Sequence, residues 1–293
     1  MKWLFGLAPA LFLLLWSGGF TIAKVGLSYA DPLTLLAIRY GCVVVLLLPL
    51  CIIYKPVLPR SQAEWLHLVI VGFLIQVVYF GTGWMAFVKG SSAGSLALIT
   101  SLQPILVALL MPLVSRERVS ITRWIGLILG LAGTFLVLFG NLGIQPISVT
   151  VLLFSVSALL AFTLATVWEK RFGVSHHPLT SNMVQYMVGF LCTLPLALLF
   201  EPMNVTITPE FLGVLAYLVL GNSILAISLL LMMIRNGEAT RVSALFFLVP
   251  PTAALIAWLV MDEKMTPLAW GGMAVAAFGV RLATRPQKLS TDH

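Results

Sequence analysis

One basic residue lies well inside an apolar stretch: Arg39, in DPLTLLAIRYGCVVVLLLPL. Its planar guanidinium can grip a carboxylate through paired N–H donors, and a charge at that depth must face a protein interior or a watery cavity. Arg39 is also about two turns from the end of its stretch, so its long side chain can reach outward instead, and a binding role and an anchoring role both fit. Two amides, Gln76 and Asn222, stand 146 residues apart near the middle of other apolar stretches. An amide donates and accepts at once, which suits a zwitterionic or polyhydroxylated solute. Hydrogen bonding between helices is the other use of such a group. Tyr79, one turn beyond Gln76 on nearly the same helix face, and Trp16, beside Ser17-Gly18-Gly19, can wall a cavity or pack as core. Pro104 and Pro250 fall in mid-stretch, where each removes a backbone donor and presses on the carbonyl four residues back. The carbonyls of Thr100 and Phe246 are therefore expected to lack helical partners, a state tolerated at membrane depth inside protein or beside water.

Other chemistry is missing. No Asp or Glu falls in the middle of an apolar stretch, which argues against proton coupling through a buried carboxylate. Glu169 comes nearest, and the adjacent Lys170 suggests an ion pair at a helix end. Glu117 and Glu263 read as caps of the turns that follow them. His67, His176, His177 and His293 show no ligand spacing, and Cys42, Cys51 and Cys192 form no CxxC and read as small core residues. No glycine motif for phosphate is present. No metal, cofactor, nucleotide or nucleic acid is expected, and an enzyme would need paired catalytic groups at depth.

The elements that carry these residues follow from composition. Of 293 residues 60% are hydrophobic and 9% charged, against about 25% charged in a soluble domain. Apolar runs long enough to cross a bilayer recur throughout. The sequence predicts an all-α, polytopic membrane protein of about ten transmembrane helices, at 4–24, 33–54, 65–87, 93–114, 122–140, 147–168, 181–200, 210–233, 239–260 and 267–284. The opening MKWLFGLAPALFLLLWSGG has the layout of a cleaved leader. Its recurrence in the second half favours a retained helix.

That recurrence is general. Shifted by 146 residues, the sequence aligns Lys24 with Lys170, Pro32-Leu33-Thr34 with Pro178-Leu179-Thr180, Tyr40 with Tyr186, Pro104 with Pro250, Trp124 with Trp270 and Gly133 with Gly279. Two five-helix repeats result, 4–140 and 147–284, followed by a short tail, 285–293. An odd number of spans per repeat makes the repeats inverted, a plan common among secondary transporters. Under this plan Gln185 is the mate of Arg39 and leaves any shared site electrically lopsided. Thirteen Lys and Arg fall on the N-terminal side of the membrane and three on the other, which puts both termini in the cytoplasm of an inner or plasma membrane. The net charge of +7 thus reflects orientation.

The pattern LLLWSGGFTIAKVGL with LAIRY, followed by AFVKGSSAGSLALITSLQPILVALLMPLVSRERVSITRWIGLILGLAGTFLV, resembles the EamA family of the drug/metabolite transporter superfamily. MMIRNGEATRVSALFFLVPPTAALIAWLVMDEKMTPLAWGGMAVAAFGVRLA is its second-half counterpart. The resemblance implies a ten-helix transporter, often an exporter of amino acids or related metabolites, with a cavity lined by the first four helices of each half. Arg39 matches an Arg that many members carry in the second helix. The residues expected near a small-molecule solute are Trp16, Arg39, Gln76, Tyr79, Thr100, Pro104, Gln185, Asn222, Phe246 and Pro250. Trp3, Trp65, Trp84 and Trp124 read as interfacial anchors. Gly126, Gly130 and Gly133, with Gly271, Gly272, Ala276, Ala277 and Gly279, give the fifth and tenth helices small faces suited to packing within the chain or to a homodimer. Nucleosides, sugars, polyamines and drugs stand beside amino acids as solute classes, and a non-transporting scaffold that holds a partner protein is the alternative role.

Overall fold

Residues at the segment starts fix where each helix begins. Pro32, Pro178, Pro209 and Pro267 occupy first turns, where a missing N–H costs nothing. Ser61, Ser92, Thr208 and Thr266 cap the helices they precede, each side-chain oxygen accepting from the N–H three residues on. The computed structural model describes residues 2–115, 119–142, 148–172, 177–236, 239–261 and 265–285. Within them lie ten helical segments: α1 (Lys2–Gly26), α2 (Pro32–Tyr54), α3 (Gln62–Val88), α4 (Gly94–Val114), α5 (Ile121–Leu142), α6 (Val149–Phe172), α7 (Pro178–Phe200), α8 (Pro209–Asn236), α9 (239–261) and α10 (Pro267–Ala283). Eight are long and apolar enough to cross a membrane, while α9 and α10 offer the shorter apolar stretches Ala244–Ile256 and Pro267–Ala283. Rows of exposed Val, Leu and Ile on α2 and α7 are what a bilayer covers. The chain is a helical polytopic membrane protein.

Four helices depart from regular α geometry, at places that match between the halves. α3 widens to π geometry over Phe73–Tyr79, and α8 over Tyr217–Ala226. α4 breaks at Ser101-Leu102, just before Pro104. α9 tightens to a 3-10 turn over Ala244–Leu248, just before Pro250. That turn corrects one expectation: the Phe246 carbonyl has a partner, the N–H of Val249.

The halves interlock. α2 packs on α7 and α5 on α10, while α1 packs on α8 and α3 on α6. The N–H groups of Leu33 and Thr34 donate to the carboxylate of Glu201, just past α7, at 2.9 and 2.8 Å. At its other end α2 leads to Val57, whose carbonyl accepts from Thr180 at the start of α7, 3.0 Å away. α2 and α7 therefore run antiparallel. So do α5 and α10, which approach so closely that a Cβ on Gly126 would sit 2.5 Å from the nitrogen of Ala283, and one on Gly272 2.7 Å from that of Val137. These small faces are spent on each other, whereas Gly271, elsewhere on α10, meets nothing within 4 Å. At one face of the bundle Ala30 and Val205 form a bridge between the halves, with Thr206 N–H donating to Tyr29 O at 2.7 Å. Glu117, Glu263, His176, His293 and the tail beyond Arg285 lie outside the described residues.

Candidate functional site

The site begins with two tyrosines at equivalent places in the repeats. Widening a helix to i→i+5 bonding disturbs its carbonyl ladder, and a buried carbonyl needs a donor. Tyr40 of α2 donates to the carbonyl of Gln76 within the wide stretch of α3, at 2.7 Å. Tyr186 of α7 donates to the carbonyl of Ser223 within that of α8, at 2.9 Å. Both rings are buried, with centroids 5.6 Å apart. The pair pins the two helices whose side chains build the site.

Past these anchors, α1, α2, α3, α4 and α8 line a cavity in the half of the bundle nearer the Ala30–Val205 bridge, with about 390 Å³ between its walls when the space open to solvent is included. Its walls are aromatic, with Phe20 from α1 and Tyr79, Phe80, Trp84 and Phe87 from α3, and its polar groups include Arg39 and Asn222. Arg39 is 0% exposed. Its Nε donates to Ser223 Oγ and its Nη2 to Asn222 Oδ1, both at 2.7 Å, while Nη1 has no partner. The guanidinium carbon lies 4.5 Å from the Phe80 ring centre and 5.8 Å from that of Trp84, close enough for cation–π attraction. Arg39 does not reach outward; it faces the bundle interior and borders the cavity.

Stacked rings close the inner end. Trp16 lies nearly parallel to Tyr79 and Phe162, at 6.2 and 5.7 Å, and Phe246 meets it edge-on at 5.6 Å. A second, smaller space follows, bordered by Thr100, Ser101, Phe162 and Phe246 and sharing Trp16, Phe20 and Tyr79 with the first. Beyond it the packing turns polar. Gln103 of α4 donates to Thr166 of α6 at 3.1 Å and to Ser243 of α9 at 3.3 Å. Nearer the opposite face Arg235 of α8 pairs with Glu169 of α6 and donates to Ser181 of α7 at 2.7 Å. Asn182 of α7 bonds Ser228 of α8. In this conformation five helices are tied together on the side away from the large cavity.

Six of the ten expected residues border these spaces: Trp16, Arg39, Tyr79, Thr100, Asn222 and Phe246. Gln76 and Gln185 do not. Gln76 packs toward Gly189 of α7, and Gln185 toward Gly72 of α3; all four of their amide heteroatoms are buried without partners. Pro104 and Pro250 are buried and act on helix shape. Trp84 is corrected from interfacial anchor to cavity wall, being 3% exposed. Glu169 also differs from expectation: helix α6 runs on to Phe172, so the carboxylate is buried and pairs with Arg235, while Lys170 turns to the carbonyl of Ile234 at 3.5 Å. The cysteines are unpaired and half-buried. Phe20, Phe80, Phe87, Phe162 and Ser223 were missed. For three of them a signal existed, since Trp16-Phe20-Ala23 and Phe80-Trp84-Phe87 keep the spacing of one helix face.

Comparison with known proteins agrees with this architecture. The chain is 26% identical to an uncharacterized transporter of Archaeoglobus fulgidus, over 95% of this chain and 96% of that one. It is 24% identical to the uncharacterized inner membrane transporter YedA of Escherichia coli K12, over 96% and 90%, and 22% identical to the uncharacterized transporter YvbV of Bacillus subtilis, over 95% and 91%. A protein crystal structure shares the fold with a TM-score of 0.79 at 20% identity, covering 95% of this chain and 96% of that one. The model of the EamA-like transporter family matches twice, over residues 3–139 and 149–285. With nearly all of its length accounted for by those two matches, the chain belongs to the EamA-like transporter family and is a membrane transporter.

Proposed function

We propose that the protein exports amino acids or related small polar metabolites across an inner or plasma membrane by alternating access, using two inverted repeats. The observation that carries this reading is the cavity itself. It lies between helices of both halves, it is floored by stacked rings at mid-depth, and the widened or broken helices α3, α4 and α8 contribute to its walls beside α1 and α2. Irregular backbone beside a cavity at mid-membrane is the usual place for a carrier to bind its solute. Antiparallel pairing of α2 with α7, and of α5 with α10, supports inversion, since each pair consists of repeat mates. The surplus of Lys and Arg supports a cytoplasmic position for the termini and for the Glu169–Arg235 end. The conformation described is then open toward the external half and latched on the cytoplasmic half.

The test is counterflow in proteoliposomes. Purified protein is reconstituted with an unlabelled amino acid inside, and entry of the labelled one is followed. Accelerated entry for a subset of amino acids, lost in Trp16→Ala, supports the reading. Entry no faster than in empty liposomes across a panel of amino acids, nucleosides, sugars and polyamines contradicts it.

A further inference from the structure

We infer that the cavity selects an organic anion, with Arg39 gripping its carboxylate and the aromatic walls receiving an apolar body; this substrate class rests on the transport reading above. Arg39 is fully buried. A guanidinium carries five N–H donors, and here Nε and Nη2 are engaged while Nη1 has no partner although the residue borders the cavity. The two partners, Asn222 and Ser223, are neutral. They fix the direction of the fork without cancelling its charge. Among the described residues no carboxylate bonds to Arg39, and Glu169 is committed to Arg235. A buried cation without an anion is costly, and the charge that the chain does not supply is one a solute can bring.

The surroundings narrow the class further. Phe80 covers one face of the guanidinium, and the free edge at Nη1 is itself buried, so a ligand reaches it from the cavity only as the neighbouring rings give way. An oxyanion there forms charge-assisted hydrogen bonds. The rest of the solute then lies against Phe80, Trp84 and Phe87, a surface suited to an aryl or branched aliphatic body. Among the described residues, those that border the cavity include no carboxylate to receive an ammonium group. The acid is therefore expected to govern recognition more than the amine.

Three solutes with one aryl body separate these features: 3-phenylpropionate, phenylalanine and phenethylamine. Thermal unfolding of the full chain in detergent, at fixed ionic strength and neutral pH, reads binding through stabilisation of the folded state. The acid and the amino acid are expected to raise the melting temperature, and the amine is not. Arg39→Gln should weaken the acid about ten- to a hundredfold, the contribution of hydrogen bonds to a charged group. Arg39→Lys keeps the charge where the neutral variant fails to fold, and it should still bind the acid less well because an ammonium cannot present the paired donors. The assignment is overturned if the amine stabilises as strongly as the acid, if the acid gives no shift, or if both variants keep the wild-type affinity. Counterflow keeps the two claims apart. Transport of the amine without the acid refutes the anion site and leaves the carrier standing; Arg39-dependent binding of the acid without flux of any solute refutes the carrier and leaves the site standing.

Discussion

Replacing Tyr40 or Tyr186 with Phe removes one oxygen and leaves the ring that packs between the halves. In Tyr40→Phe the Gln76 carbonyl loses its donor at 2.7 Å, and in Tyr186→Phe the Ser223 carbonyl loses its donor at 2.9 Å. Leaving a buried carbonyl unsatisfied costs about 1–3 kcal/mol. The widened stretch has a cheaper course, which is to relax to regular helix. At 3.6 residues per turn, absorbing one residue rotates everything beyond it by about 100° about the helix axis. For α3 the rotated part carries Phe80, Gly83, Trp84 and Phe87 out of the cavity wall. Each variant is thus expected to lose about 1–3 kcal/mol of stability at most and a disproportionate share of transport. Thermal unfolding and counterflow on the same preparations measure both. Wild-type counterflow in both variants would refute the reasoning, because it would show that the hydroxyls do not hold the wide turns.

Glu169→Gln breaks a buried ion pair between α6 and α8 and should cost about 3 kcal/mol, seen as a lower melting temperature; an unchanged value would mean that solvent already reaches the pair. Gly133→Leu forces a side chain into the backbone of α10 at Ala276 and Gly272, so folded yield in detergent should collapse, whereas Gly271→Leu, with open space around it, should leave yield as it is. Gln76→Leu removes two buried polar atoms that have no partners and is expected to raise thermal stability with solute affinity retained. Lost affinity in a folded Gln76→Leu protein would return that amide to the solute site.

Hydropathy and the 146-residue offset made the order and extent of the helices readable, because crossing a bilayer depends on the apolar content of a whole segment. Direction around each helix axis was harder to read. Gln76 and Tyr79 share a face only in a regular helix. Both lie in the wide stretch Phe73–Tyr79, where the larger turn sends Tyr79 to the cavity and Gln76 toward α7. Nothing in FLIQVVY marks that widening; it shows only when Tyr40 is seen against the Gln76 carbonyl. Arg39 was legible as a buried charge or an anchor, and the choice required knowing that Asn222 and Ser223, far away in sequence, come within hydrogen-bonding distance. Trp84 looked like an anchor because it falls near the end of its span, yet packing from α2 and α4 encloses that end. Glu169 does form an ion pair, but not with the residue beside it: Lys170 is its neighbour in sequence, successive residues on a helix do not face each other, and Arg235 of α8 does face it.

The central claim is that solute passes through the cavity between α1, α3 and α4, and filling that cavity tests it most directly. A Cβ on Gly83 would meet only Leu96 Cδ2, at an ordinary 3.7 Å, so a side chain can start there without pressing on backbone, and Gly83→Trp directs an indole into the space. Counterflow in proteoliposomes is measured for Gly83→Trp and the wild type, at matched amounts of folded protein. The account predicts a variant that stays folded and carries no solute; wild-type counterflow through the filled cavity would contradict it.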